Sequence, residues 1–323
     1  MIRLFLSNNV LVLIALPFII SIYYLLNSQF GIYEQKALIN FGFWGNFYEA
    51  NSIILKGSSF VVILLNALLL NWTFNRNEFL ERNSYIVSLL YVVTMSFFKP
   101  FYLIDGTLIA HLFTILMFTQ FFQLNQNQDA RRLVFNGGFF AGVAATFNPI
   151  LIFAFPFFLA MILIIRPFVF RESFLGFIGF IIPLIYGFIF LLFQDQKKYF
   201  SLFGQLSEQK NPIDFLITLI VLGILFVLSI LSLRSRLQKS SLRLKKQIRI
   251  ITLFIWLTLI IGTLNIYYVM STLQFSLLLI PISILLTYSF LHKNFSIIAS
   301  IVFYLMILYS VIKFFILSPE QSM

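Results

Sequence analysis

The sequence has no cysteine and only two histidines, His111 and His292. Disulfides, thiolate metal sites and thiol nucleophiles are therefore excluded. A four-histidine iron centre or a multi-histidine zinc site cannot be built from two imidazoles. No metal and no cofactor is expected. Charge is scarce too: Asp, Glu, Lys and Arg make up 10% of the 323 residues, while 60% are apolar and the mean hydropathy is +0.97. A water-soluble chain of this length needs far more polar surface. Carboxylates are missing from the centre of every long apolar run, which counts against ion-coupled transport.

What is present is a succession of apolar runs long enough to cross a bilayer as helices. Candidate spans are Val10–Leu26, Ser58–Phe74, Ser84–Phe98, Tyr102–Phe122, Leu133–Phe147, Ile150–Ile165, Phe174–Phe193, Ile213–Leu233, Ile250–Tyr268, Leu273–Leu291 and Phe295–Leu317. The expected fold is an all-α polytopic transmembrane helix bundle of about eleven spans, forming one integral membrane domain over residues 1–323. Pro100 and Pro149 mark turns between neighbouring spans; Pro156, Pro183 and Pro281 fall inside spans and are expected to kink them. The stretch Met1 to Leu26 lacks a small-x-small cleavage site and reads as a retained first helix.

Alternating topology sorts the charges. All 11 arginines fall in gaps on one side of the predicted spans, with 15 of the 22 basic residues and four of the 11 acidic ones, a net of +11. The other side is neutral. Positive charge is retained on the cytoplasmic face, so a bacterial inner membrane with the N-terminus in the cytoplasm is expected. The formal charge of +11 does not indicate nucleic acid, because the basic residues lie between apolar spans rather than along a stripe. Two connections stand out as an outer interfacial loop, 27–57, and a basic cytoplasmic loop, 234–249. The latter reads as topology control or as a surface for anionic headgroups or a protein partner.

From Glu34 to Ala50 the outer loop reads EQKALINFGFWGNFYEA. Leu38, Phe41, Trp44, Phe47 and Tyr48 recur at helical spacing, which predicts an interfacial helix with its carboxylates toward water. It either caps the bundle or brings Glu34 or Glu49 to an outward-facing cavity as a general base. Asp105, six residues after Lys99, is either part of a structural ion pair capping the fourth span or a second acid of that cavity. In the second case Lys99 would hold an anionic substrate. Lys197 and Lys198 are cations on the side that usually lacks them. They would either hold a lipid phosphate or be balanced by loop acids. His111 reads as a helix-packing histidine or a proton carrier. Asn66, Asn136, Asn148 and Asn265 are expected to hydrogen-bond between helices. The run Asn136 to Gly142 offers small residues for close packing and lacks the lysine and hydroxyl of a phosphate loop.

The stretch Arg131 to Pro183, with Asn136-Gly137-Gly138-Phe139, Asn148-Pro149, Arg166-Pro167-Phe168, Arg171-Glu172 and Gly179 through Pro183, resembles an uncharacterised family of polytopic inner-membrane proteins of Bacteroidota, chiefly flavobacteria. In layout the chain also resembles the GT-C glycosyltransferases, which use polyprenyl-phosphate-linked sugars. The GT-C resemblance implies an acidic base in the first outer loop, where Glu34 and Glu49 lie, and outer lysines holding a lipid phosphate. The chain departs from that pattern in having no adjacent Asp-Glu pair in the loop.

Three functions follow as expectations. The first is handling or transfer of a polyprenyl-phosphate-linked sugar in cell-envelope biogenesis, with Glu34, Glu49 and Asp105 as acid–base candidates and Lys99, Lys197 and Lys198 as phosphate ligands. The second is a non-catalytic membrane subunit or scaffold of an envelope-assembly or secretion complex, with a membrane-protein partner. The third is a transporter for a lipid or other hydrophobic solute. Membrane lipids are partners under all three.

Overall fold

The structure is a computed structural model, and it describes residues 2–30, 39–47, 52–124, 129–193, 212–238, 240–269, 271–291 and 293–316. Helix α1 (Ile2–Phe5) leads through a 3-10 turn at Val10–Ile14 into α2 (Ala15–Phe30). A minimal antiparallel pair follows, β1 (Ile39–Asn40) and β2 (Asn46–Phe47), with Ile39 opposite Phe47 and Asn40 opposite Asn46. Then come α3 (Ser52–Arg76), α4 (Ile86–Met95), α5 (Gly106–Gln123) and α6 (Arg131–Phe147). A 3-10 turn at Pro149–Ala154 runs into α7 (Phe155–Ile165), followed by α8 (Phe170–Phe193), α9 (Pro212–Gln238) and α10 (Leu242–Val269). The next pass is broken: α11 (Leu279–Leu286) lies between 3-10 turns at Leu273–Leu278 and Thr287–Phe290, and α12 (Lys293–Ile316) is last.

Among the described residues, eight helices are long and apolar enough to cross a membrane. The chain is an all-α bundle with the build of a multi-pass membrane protein. Helix is the natural solution in lipid, because it satisfies each backbone N–H and C=O within its own segment. Burial separates two shells. The broken pass Leu273–Phe290 is 89% buried over its most apolar window, against 22% for Val10–Phe30 and for Phe295–Ile316. The first belongs to a protein core, and the other two present apolar side chains outward, as Phe18, Leu25, Ile301 and Leu305 do.

Short α4 lies wholly in that core, with all ten of its residues buried. Ten residues rise about 15 Å, half of a hydrocarbon core. The backbone at its ends must therefore find partners in neighbouring helices. At the C-terminal end the Ser96 carbonyl accepts from the Tyr102 hydroxyl at 2.8 Å and from Lys313 Nζ at 3.0 Å. The Phe101 carbonyl accepts from the Tyr24 hydroxyl at 2.5 Å and Ser59 Oγ at 2.7 Å. At the N-terminal end the Tyr85 amide donates to the Phe5 carbonyl at 2.8 Å, and the Ser84 amide to Asn75 Oδ1 at 3.1 Å.

The passes run between two ends. One collects Phe5, Phe79, Tyr85, Ile165, Arg236, Arg243 and Tyr288, tied by the contacts of Phe5 with Tyr85, Tyr288 with Phe79, Arg243 with Glu78 and Lys246 with the Ile165 carbonyl. The other collects the β1–β2 hairpin, Lys99, Asp105, Asn148, Gln274 and Lys313. The basic segment 234–249 is helical over most of its length, since α9 continues to Gln238 and α10 starts at Leu242. Hydrophobicity ends a span where charge begins, whereas a helix keeps its hydrogen bonds on into water. Leu244, Gln247 and Ile248 are buried there, while Arg249 is exposed.

Prolines mark joints more than kinks. Pro156 is the second residue of α7 and Pro281 the third of α11, each just past a 3-10 turn. In a first turn the missing amide has no intrahelical acceptor to lose. Among the described residues, Pro183 alone sits well inside a helix, in α8. The glycines of α6 do what small residues do between membrane helices. A Cβ on Gly138 would strike the Gly176 carbonyl, one on Gly142 the Phe180 carbonyl, and one on Gly179 the Phe135 carbonyl. Helices α6 and α8 thus meet backbone to backbone, and these residues serve packing.

Replacing Gly142 by valine should destabilise the protein by about 1–3 kcal/mol, the usual cost of overpacking a tight interface. Gly223→Ala, where a Cβ would meet nothing within 4 Å, should be neutral or slightly stabilising, because it removes unfolded-chain freedom. Thermal unfolding in detergent distinguishes the two; equal effects would mean that α6 and α8 are not in backbone contact.

Candidate functional site

The end opposite the arginines carries the titratable groups that the sequence brings to attention. Lys99 opens a 3-10 turn, Lys99–Phe101, shortly after α4 ends at Met95. Asp105 stands at the start of α5 with extended backbone, and its carboxylate accepts the Leu108 amide at 2.8 Å. It is the N-cap of that helix. This explains why α5 begins at Gly106, four residues later than the apolar run: residues 99–105 turn, and an aspartate whose carboxylate takes the Leu108 amide starts the next helix.

The two groups feel each other. Burial pushes the Asp105 carboxyl up to about 6, partly offset by the Leu108 amide and by the Lys99 charge. Burial likewise lowers the Lys99 ammonium below its ordinary value, while the Asp105 charge opposes that shift. Both are only partly covered. In both groups burial outweighs the partner's charge.

The β1–β2 hairpin roofs this region. Gly42 lies at φ +66° and Gly45 at +94°, backbone conformations that disfavour side chains. A Cβ on Gly42 would also collide with the Thr146 carbonyl. That tight approach brings Trp44 down so that its Nε1 donates to Thr146 Oγ1 at 3.2 Å, its ring stacked on Phe147 with centroids 5.8 Å apart. Residues 39–47 are therefore a hairpin rather than part of the interfacial helix expected across 34–50. The helical spacing of Phe41, Trp44 and Phe47 is real, but two glycines at positive φ break the period. Gly106 permits the close approach from below, since a Cβ there would meet the Phe147 and Asn40 carbonyls.

Beneath the roof lie two polar clusters. The Asn148 and Gln274 amides are buried and exchange hydrogen bonds, Nδ2 to Oε1 at 2.7 Å and Nε2 to Oδ1 at 3.2 Å. Six residues into α5, buried His111 pairs its Nδ1 with the Tyr91 hydroxyl at 2.9 Å and its Nε2 with Ser276 Oγ at 3.3 Å. Both imidazole nitrogens are engaged, as a packing histidine requires. Asn66 donates to the Leu108 carbonyl at 3.2 Å, tying α3 to α5.

Of the residues singled out from sequence, Lys99 and Asp105 come together, whereas Glu34, Glu49, Lys197 and Lys198 lie outside the described residues. Sequence reasoning passed over Gln274, the partner of Asn148, and Lys313, whose ammonium is buried 4.4 Å from the Phe97 ring centre. A lysine inside an apolar run of 24 residues was the signal for the second. Nothing local marks Gln274.

A family model described as a family of unknown function (DUF6427) matches residues 37–319. No curated protein and no solved structure matches the chain.

Because the folded Asp105 carboxyl holds its proton up to about pH 6, whereas an unfolded aspartate releases it near pH 4, the folded state binds more protons between those values. Stability should therefore fall as pH rises from about 4 to about 6. Asp105→Asn, which can still cap α5, should flatten that part of the profile. Asp105→Ala should also lose about 1 kcal/mol with the cap. Unfolding midpoints in detergent across pH 4–7 measure this; an unchanged slope in Asp105→Asn would remove Asp105 as its source.

Proposed function

The chain belongs to that family of unknown function, and we propose that it handles a polyprenyl-phosphate-linked sugar in a bacterial inner membrane, as part of cell-envelope biogenesis. In this reading the arginine-rich end and the N-terminus face the cytoplasm, in line with the retention of positive charge. The Lys99–Asp105 end faces outward. The observation that carries the proposal is an apolar crevice of about 200 Å³ between α9, α10 and the broken pass, lined by Leu222, Phe226, Leu259, Phe275 and Leu279 and reaching Phe98. Phe98 is the residue before Lys99. A lipid tail segment in the crevice puts its phosphate at the level of the nearest cation.

The chemistry follows from that arrangement. The acceptor hydroxyl attacks the anomeric carbon of the sugar, the bond from that carbon to the phosphate oxygen breaks, and the electron pair leaves with the lipid phosphate. Asp105 takes the hydroxyl proton, and its titration near pH 6 suits a general base at neutral pH. Lys99 offsets the charge that builds on the departing phosphate. Glu34 and Glu49 would serve as further acid–base groups of the loop, and Lys197 and Lys198 as further phosphate ligands.

A second reading has an observation of its own. The Asp105 carboxylate is already used as a helix cap, and a side chain with a structural task suits a non-catalytic membrane subunit or scaffold. The two readings differ in what stays bound to the protein.

Native mass spectrometry of the gently purified protein is the test. Retained polyprenyl phosphate, reduced about tenfold by Lys99→Gln and unchanged by Asp105→Asn, supports the lipid-linked reading. Sugar transfer should then rise with pH through about 6 and be lost in Asp105→Asn. Bulk phospholipid alone, unaffected by Lys99→Gln, overturns it, and a protein partner in fixed ratio would turn the assignment to the scaffold.

A further inference from the structure

Where α10 emerges at the arginine-rich end, an open groove of about 570 Å³ runs between it and the neighbouring helices α7 and α9. Its walls are apolar, with Ile164 from α7, Leu237 from α9, and Leu253 and Trp256 from α10. Its lip is cationic, formed by Lys245 and Arg249. These α10 residues sit at spacings of four, four and three, which places them along one face of the helix. From Lys245 to Trp256 that face extends about 16 Å. The groove therefore begins with two positive charges and ends in hydrocarbon-facing wall, and Trp256 stays 59% exposed within it.

Among the described residues, nothing acidic lines the groove. The acids of this end are held by other arginines: Glu78 by Arg243, Glu81 by Arg236, Asp129 by Arg131 and Glu172 by Arg166. The width is fixed as well, because Lys246 reaches the Ile165 carbonyl at 2.7 Å and pins α10 to the end of α7.

We propose that this groove is a binding site for one anionic phospholipid of the surrounding bilayer. The phosphate lies between Lys245 and Arg249, and an acyl chain follows Leu253 down to Trp256. Polarity and charge select the occupant: a zwitterionic lipid brings a cation to the same lip, and a soluble anion leaves the apolar length unfilled. The site stands at the opposite end from Lys99 and does not rest on the function proposed above.

Trp256 supplies the readout. The chain has three tryptophans, so Trp44→Phe/Trp72→Phe leaves Trp256 as the sole emitter in the full chain. In nanodiscs, phosphatidylglycerol brominated on its acyl chains should quench Trp256 at about one twenty-fifth of the mole fraction needed by brominated phosphatidylcholine, given roughly fivefold attraction for each of the two near-surface cations. Lys245→Gln/Arg249→Gln should bring the two lipids to parity. Equal quenching by both lipids with the charges present, or a preference that survives the double substitution, would overturn the proposal. Should the tryptophan background fail to fold, native mass spectrometry settles it with the natural tryptophans in place. Phosphatidylglycerol must then be retained over phosphatidylcholine by the wild type and not by the charge variant. A polypeptide that occupies this face and excludes both lipids would also refute it.

Discussion

Two backbone carbonyls, those of Ser96 and Phe101, set the terms for one end of this bundle. Each accepts two side-chain hydrogen bonds, from Tyr102 and Lys313 at Ser96 and from Tyr24 and Ser59 at Phe101. A carbonyl has two lone pairs, so each is fully engaged. In a hydrocarbon setting an unengaged carbonyl costs several kcal/mol. The turn after α4 can therefore be buried among the helices because α2, α3 and α12 each send a donor to it. The donors explain otherwise odd choices, such as Lys313 in α12 and Tyr24 in α2.

The candidate site is a by-product of that solution. Ending α4 after ten residues leaves Lys99 and Asp105 in a turn instead of a helix, where Asp105 can cap α5. The hairpin then closes over the same place through Gly42, Trp44 and Thr146, which keeps the carboxyl partly dry and moves its titration upward. Packing and electrostatics at this end follow from how the chain disposes of backbone polarity.

The shell of the fold was legible in the sequence, and its interior much less so. Apolar length announces helices such as α2, α8, α9 and α12 because lipid selects on length and hydrophobicity alone. The arginines sorted to one side for an equally simple reason, the repetition of charged gaps at alternate turns. The glycines of α6 also declared themselves, through their spacing and the absence of a phosphate-binding lysine. The hairpin did not, since an aromatic spacing near 3.6 suggests helix until Gly42 and Gly45 are read as residues at positive φ. The pairing of Asn148 with Gln274 links positions 126 apart, and no local pattern encodes it. Asp105 was visible as a capping or an acidic residue, and only geometry shows how fully the cap is made.

The ten-residue length of α4 also bears on what must be in place around it. A segment rising about 15 Å gains too little from lipid alone to hold a position across a bilayer. It is held instead by the helices around it, and its polar ends are satisfied by residues as far along the chain as Lys313. The surroundings of α4 are therefore complete only when α12 is in place, because its Lys313 supplies one of the two donors to the Ser96 carbonyl.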